Sequence, residues 1–436
     1  MLPEQRAGGD DGRPHIVVVN RWRERYADYL GYVDHRENAV TYVSTEVGLG
    51  SVPAEAAGIA LVDATDDPVQ VRSAVAGLTG RHGIPHRIVA LKEDDLLVAA
   101  GLREDLGLPG PYPADLLPFR DKFLMCRAIA AAGLPVPAFA SADSPGEVAD
   151  FTSVSGWPVV LKPRIGSSSA GVRILSGPAD LAGLPAFTEP MLVQAFVEHP
   201  IHHVDGVFDG TRTSRLRVSR YVNTCLGFRE GAFLGSVEVD DPGVVRAVTE
   251  AADGYLAALT DGPTPFHLEV FVERTPDGAH CVFLEVGARV GGAEIPFIWR
   301  DLHGYDLMRA AFELQLGLAG TAAETAPPTG EVGGWLLIPA PEARPCVITH
   351  VTSMLGGRTG PYAESILPPG EVLPEADAYY EHVGGRFRFR GRTSGEVEAA
   401  LTDTAARFRV TAEPVARTVA ERPARAEYAA HAEARR

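Results

Sequence analysis

The sequence predicts an α/β chain in three parts: an N-terminal parallel sheet flanked by helices, a two-lobed α+β centre, and a smaller β-rich C-terminal lobe. Three observations carry this expectation. From residue 15 to residue 106, short apolar runs alternate with helical stretches, as in a parallel sheet with helices on its faces. The run Pro109–Gly110–Pro111–Tyr112–Pro113 then breaks the pattern. Beyond it, strand-like segments follow one another across turn signals, as hairpins do.

In chain order, residues 1–14 are polar, read as a disordered tail, and carry no signal peptide. An N-terminal domain over 15–112 takes strands at His15–Asn20, Tyr42–Val43, Ile59–Val62 and Arg87–Leu91, with helices over 68–81 and 93–106. The central domain covers 113–320, with a small lobe at about 120–200 and a large one at about 201–320. Its helix Asp121–Ala132 is stopped by Gly133 and the prolines at 135 and 137. A hairpin over 157–175 and a strand Met191–Val197 follow. Antiparallel strands fill 203–239, with Asp209–Gly210 and Glu230–Gly231 as turns. An alanine-rich helix over 242–260, a hairpin over 266–286 and a helix over 304–317 complete the domain. Thr321–Gly330 is a linker, 331–412 a lobe ending in a helix (394–406) and a strand (Phe408–Val410), and 413–436 a flexible tail.

A chain of 436 residues is too long for one ordinary core and suits roughly two to four lobes. Its 45% apolar and 22% charged residues are an ordinary soluble balance. The net charge of −17 argues against nucleic acid as a partner, since a phosphate backbone demands a basic face. No apolar run reaches the roughly 18 residues that span a bilayer, so no membrane partner is expected. Cys126, Cys225, Cys281 and Cys346 lie far apart, which fits free thiols in a reducing cytoplasm better than a zinc site.

The chemistry concentrates in two places. In the strand 266–274, Phe266, Leu268, Val270 and Val272 share one face, while His267, Glu269, Phe271 and Glu273 share the other. Thr275–Pro276–Asp277–Gly278 is a turn, because Pro presets φ and Gly accepts a positive one. In the returning strand, alternation puts Val282, Leu284 and Val286 on the apolar face and Cys281, Phe283, Glu285, Gly287 and Arg289 opposite. A turn centred on Asp277 sets Glu269 directly across from Glu285. Like charges there are destabilising unless something binds between them, and paired carboxylates suit Mg2+, which also takes phosphate oxygens. A slipped register with one solvated Glu is the plainer alternative. Arg289, four residues after Glu285, is within reach of a shared phosphate or of a structural salt bridge.

Lys162 ends the apolar strand Pro158–Val159–Val160–Leu161–Lys162, before the loop Gly166–Ser167–Ser168–Ser169–Ala170–Gly171. Small side chains and free amides let such a loop close over anionic oxygens. It is not a Walker A loop, for it lacks Gly-Lys-Ser/Thr and leads into a strand. Alone it is as readily a flexible hairpin tip. Lys122, at the start of a helix, is a second basic candidate, or else a solvated helix-start lysine.

These parts, in this order, resemble the ATP-grasp superfamily over roughly residues 15–410. The resemblance implies that fold, with a pre-ATP-grasp N-terminal domain. Leu117–Lys122 with Ala132–Pro137 is similar to the start of the nucleotide-binding domain, where the lysine contacts ATP phosphate. Pro158–Pro163 is similar to the strand of the second ATP-binding lysine. Gln194–Ala195–Phe196–Val197–Glu198 is similar to the adenine-reading hinge, where Gln194, Phe196 and Val197 would serve. Glu269 and Glu285 match the metal-binding acids, and Arg289 the arginine that stabilises the transferring phosphoryl group. One departure is Gly287, where many members carry a metal-binding Asn. The Glu285–Val286–Gly287–Ala288–Arg289–Val290–Gly291–Gly292 form is similar to the carboxylate–amine ligases, the branch of the L-amino acid and peptide ligases. His202–His203–Val204–Asp205–Gly206 resembles the strand after the hinge, with His203 as a candidate ribose or substrate contact.

The expectation is therefore a cytoplasmic ATP-dependent ligase using ATP and Mg2+, with Mn2+ as an alternative ion. Lys162 and Arg289 would be its catalytic groups. Lys122, Lys162, Gly166, Ser167, Ser168, Ser169, Gln194, Phe196, Val197 and His203 would hold the nucleotide, and Glu269 and Glu285 the metal. Its partners would be a carboxylate and an amine or peptide, with a homodimer as candidate assembly. Rival readings are a carboxylase-like or purine-pathway ligase of the same fold, and a nucleotide-binding regulatory protein without turnover.

Overall fold

A computed structural model describes residues 12–23, 25–319, 323–324, 326–341, 344–357, 359–374 and 383–415. Most of the two terminal tails, and Thr321, Ala322 and Thr325 of the expected linker, lie outside the described residues. The chain divides into two units, one of residues 1–221 with 238–330, the other of 222–237 with 331–436.

The first unit opens with a four-stranded parallel sheet in the order Gly58–Leu61, Ala39–Ser44, His15–Asn20, Arg87–Ala90. Val17, Val19, Val43, Ile88 and Ala90 form its core with Val71, Val75 and Leu78 of the helix Pro68–His82. Asp67 caps that helix, its carboxylate accepting from the Val69 and Gln70 amides, and Pro68 opens it. The sheet order reverses between His15–Asn20 and Arg87–Ala90, and ligands of open α/β sheets gather outside the carboxyl ends of strands at such a point.

A second four-stranded sheet, Phe139–Ala142, Met191–Ala195, Val159–Pro163 and Arg173–Leu175 in spatial order, is antiparallel. Helix Pro145–Ser155 packs on it through Val148. A third set of antiparallel strands runs Gly278–Gly287, Thr264–Thr275, Ile201–Phe208, Thr213–Val222. One face of it is buried under helices Lys122–Ala131 and Pro242–Ala257, with Phe266, Leu268, Val270, Phe283, Tyr255 and Val248 at the centre. The opposite face carries the polar residues described below.

In the second unit, Leu234–Glu238, Val332–Pro339, Val383–Gly391 and Ala363–Ile366 pair in that order, all antiparallel. Helix Ser394–Arg407 covers them through Val397 and Leu401. Cys346–Val351 pairs with Val372–Leu373 and Val410–Pro414. The region expected to be strands throughout 203–239 also contains a short helix, Cys225–Arg229, capped by Thr224. No helix among the described residues is long and apolar enough to cross a membrane.

Candidate active site

The hairpin that carries both candidate metal ligands owes its geometry to one extra residue. Thr275 faces Gly278 across a two-residue Pro276–Asp277 turn. A regular ladder counted from there would set Glu269 opposite Leu284 and turn Glu285 into the core. A bulge at Glu269/Val270 intervenes: Val270 faces Phe283 and Glu269 faces Glu285, so Leu284 is unpaired. The expected pairing of the two carboxylates therefore holds, but the expected apolar face of the returning strand needs correction. Cys281 and Phe283 lie in the core with Val286, while Val282 and Leu284 are half-buried. The extra residue changes the parity of alternation partway along the strand.

Across the sheet, the site residues stand in two rows. His203, Glu269 and Glu285 form one, and Asp205, His267 and Gly287 the next. The Tyr221 hydroxyl donates to Glu269 Oε1 at 2.8 Å. Asp205 lies 2.6 Å from His203 Nδ1 through one oxygen and 2.8 Å from His267 Nδ1 through the other. Burial alone would depress the His267 imidazole, but the Asp205 carboxylate overrides it and raises the pKa to about 9. Burial likewise pushes Glu269 up, but the imidazolium and the Tyr221 hydroxyl beside it win and hold it below the usual carboxylate range. His203, 1% exposed and 4.8 Å from the Tyr221 ring, stands in support of this row rather than on open surface.

The two candidate lysines converge on Glu285. Lys122 Nζ is 3.7 Å and Lys162 Nζ 4.0 Å from Glu285 Oε2. Lys162 is buried, and that burial lowers its pKa while Glu285 opposes the shift. Lys122 is tied to the Gly/Ser loop at both ends, its amide donating to the Arg164 carbonyl and its ammonium to that of Gly166, both at 2.9 Å. Asp121, the cap of this helix, also holds Arg164, with Nε to Oδ1 at 3.0 Å. In the loop, Ser168 and Ser169 both have φ of 55°, a conformation that costs such residues on the order of 1–3 kcal/mol and gathers at ligand clamps. Gly171 has φ of 72°, and a Cβ there would come within 2.8 Å of Pro163 Cγ. Gly166 and Ser167 are half-buried at the near end of this loop.

Gln194 lies buried in the middle strand Met191–Ala195, its backbone facing Phe139 on one side and Val160 on the other. The chain leaves the strand there, so Phe196, 37% exposed, and Val197 sit in an irregular segment.

Arg289 reaches an acid that sequence analysis does not single out. Its Nε and Nη2 lie 2.8 and 2.7 Å from Glu93 Oε2, in the short 3-10 helix Glu93–Asp95 that follows the parallel strand Arg87–Ala90. Arg120 pairs with the other Glu93 oxygen and, at 3.1 Å, with Asp94. Burial would raise the Glu93 pKa, but the two guanidinium groups hold it at about 2. The same end of the parallel sheet supplies Arg25, whose Nη2 donates to both oxygens of buried Glu294, at 2.7 and 2.8 Å, and which lies 4.6 Å from the Phe297 ring. Sequence reasoning thus misses Glu93, Asp205, Tyr221 and His267 as site residues. Position was a usable signal for two of them: Glu93 follows the carboxyl end of a parallel strand, and His267 shares the face of Glu269. For Tyr221 there was none.

The fold defined by these parts is the ATP-grasp fold. Among solved structures, the chain is similar to the L-amino acid ligase from Bacillus licheniformis, with a TM-score of 0.73 at 17% identity, covering 92% of this chain and 98% of that one. It is also similar to N5-carboxyaminoimidazole ribonucleotide synthetase from Thermotoga maritima, with a TM-score of 0.64 at 14% identity, covering 92% and 100%. In sequence it is 26% identical over 327 residues to the uncharacterized protein y4rH of Sinorhizobium fredii, across 71% of this chain and 65% of that protein. It is 26% identical over 223 residues to the L-arginine-specific L-amino acid ligase of Bacillus subtilis, across 48% and 52%. The matched stretches therefore span between half and two thirds of these relatives' own lengths. No family model matches the chain.

Proposed function

We propose that this chain is an ATP-dependent ligase that joins an amino acid or related carboxylate to an amine, releasing ADP and phosphate. The observation that carries the reading is the convergence of two facing carboxylates, two lysines and a half-buried arginine beside one hairpin. Glu269 and Glu285 repel each other unless a cation lies between them, so this donor set fits a divalent ion with oxygen ligands. Such an ion would neutralise phosphate charge as the phosphoryl group moves.

Lys122 and Lys162 would hold the phosphates under the strained Gly/Ser loop, with the Gly166–Ser169 backbone closing over them. Gln194, Phe196 and Val197 would frame the adenine. A carboxylate oxygen attacks the γ-phosphorus, the bond to the β–γ bridging oxygen breaks, and ADP leaves. Arg289 stabilises the charge that develops on the phosphoryl group, and Glu93 aims it. The amine, having lost a proton, attacks the acyl phosphate carbon and expels phosphate. Closure of the loop keeps water from the acyl phosphate meanwhile.

The amino-acid-ligase form of residues 285–292, together with the likeness to two amino acid ligases, favours an amino acid as a substrate. The test is phosphate release from ATP and Mg2+ across amino acids singly and in pairs, with mass spectrometry of products. Release that requires a pair, with ADP and a product of the pair's mass less water, supports the reading. Bicarbonate-dependent release would favour the carboxylase-like alternative. Tight ATP binding with no turnover on any acceptor would favour a regulatory nucleotide binder.

A further inference from the structure

Residues 288–294 join the strand Gly278–Gly287 to the helix Ile295–His303 and carry Arg289 near their start. The N-terminal parallel sheet grips this segment twice. Glu93, just past the strand Arg87–Ala90, takes Arg289. Arg25, just past the strand His15–Asn20, takes Glu294. Those two strands are neighbours at the point where the sheet order reverses. The proposed chemistry gives the first grip a role and the second none.

The second grip is as firmly built as the first. Glu294 is 1% exposed, and a carboxylate so buried stays ionised only beside a charged partner. It stands at the N-cap of helix Ile295–His303, yet its side chain caps none of that helix's amides. Its two oxygens instead accept from Arg25 Nη2, at 2.7 and 2.8 Å. The Arg25 guanidinium in turn lies 4.9 Å from the Tyr26 ring and 4.6 Å from that of Phe297, contacts that favour a cation and limit its freedom. The backbone between the grips is constrained too. A Cβ on Gly291 would strike the Asp205 carboxylate and come within 3.0 Å of His267 Nδ1. Ala293 has φ of 54°, a conformation that a residue with a side chain keeps only where its surroundings fix it. Glu294 is the next residue, so its bond to Arg25 is one of those restraints.

We infer that Arg25 is a positioning residue for phosphoryl transfer: by anchoring Glu294 it fixes the far end of the segment whose near end presents Arg289. This rests on the reading of Arg289 as the group that stabilises the transferring phosphoryl group. Glu93 restrains the Arg289 guanidinium, and Arg25 restrains the backbone that carries it. Arg25 acts through Glu294 and makes no bond to the reacting atoms. A misplacement of about 1 Å at a reacting centre can slow a reaction on the order of 100-fold. Loss of Arg25 should therefore reach kcat, while ATP affinity, assigned to Lys122 and Lys162, should hardly move.

The experiment compares the full wild-type chain with Arg25→Ala and with a double variant, Arg25→Met combined with Glu294→Leu. The double variant removes both charges and keeps apolar bulk, so it strands no buried carboxylate. Calorimetry counts the ATP-binding sites, and phosphate release with an active pair of substrates is expressed per site. Both variants should lose about 10–100-fold in kcat per site with ATP affinity nearly unchanged. Ethylguanidinium at millimolar concentration should restore part of that loss in Arg25→Ala. It should restore none in the double variant, which has no carboxylate to receive it. A contact that only holds the fold together would lower the number of sites and spare kcat per site; that result overturns the inference and leaves the ligase reading standing. So does a double variant with wild-type kcat per site, even where Arg25→Ala fails to fold. A wild type that releases no phosphate with any substrate removes the ligase reading and this role of Arg25 together.

Discussion

Lys162 is nearly closed off from solvent, so burial works against its ammonium charge and lowers its pKa, while Glu285 is the largest charge in favour of it. A phosphate there would stabilise that charge, and a hydrogen bond to a charged group contributes about 1.5–3 kcal/mol. Lys162→Ala should therefore weaken ATP binding by on the order of 10–100-fold in titration calorimetry. Unchanged affinity would remove this lysine from the nucleotide site. Arg289→Ala should behave differently, lowering kcat by about 10²–10³-fold while moving ATP affinity much less, because its partner charge develops during transfer. Glu93 adds a pH signature. Its carboxyl drops from an ordinary 4.5 to about 2 in the folded state, because Arg289 and Arg120 outweigh its burial. A lowered folded-state value means its stabilisation, about 3 kcal/mol, is complete above pH 4.5 and lost as pH falls toward 2. Denaturant unfolding of wild type and Glu93→Gln should differ most above that window and converge below it. Lys162, Glu269, Glu285 and Arg289 were legible in the sequence because each sits beside a strand or turn that announces it. Glu93 offered only its place after a parallel strand, since the arginine that gives it meaning lies 196 residues away.

At the scale of elements, the hairpin between Thr264 and Gly287 shows where alternation misleads. Centring the turn on Asp277 gave the pairing of Glu269 with Glu285, but counting by twos gave the wrong interior for the returning strand. No local residue marks Leu284 as the one to be skipped. Phe283 is fully buried and Leu284 is not, so Phe283→Ala should cost about 3–5 kcal/mol in chemical unfolding and Leu284→Ala less than about 2. The reverse order would contradict the bulge. The bulge bends the strand beside the site, which is where such insertions re-aim side chains. Elements with strong local signals fared better. His15–Asn20 and the capped helices Pro68–His82 and Lys122–Ala131 fall where apolar runs and caps place them. Helices Pro145–Ser155 and Ile295–His303 fall where sequence analysis places none, the second carrying Pro296 in its first turn and burying most of its length.

The whole molecule joins a net charge of −17 to a site whose local field is set by Lys122, Lys162, Arg120 and Arg289. On the proposed reading, an anionic nucleotide would be received by a few fixed cations rather than by a basic surface. The succession of parallel sheet, hairpins and β-rich lobe was legible from periodicity and turn residues. The membership of the second unit was not, because Val222–Val237 finds its partners about a hundred residues further on, with Leu234 facing Leu337 and Val237 facing Gly334. A chain ended after Gly330 would leave that strand without its neighbour, and an unpaired apolar strand edge promotes association. Such a truncation should elute as aggregate in size-exclusion chromatography, where the full chain elutes as a discrete species. The same interleaving restricts how this protein can be recombined. A crossover at the linker would carry one parent's C-terminal lobe and the other parent's Leu234–Glu238 strand, and a working chimera must exchange both pieces together.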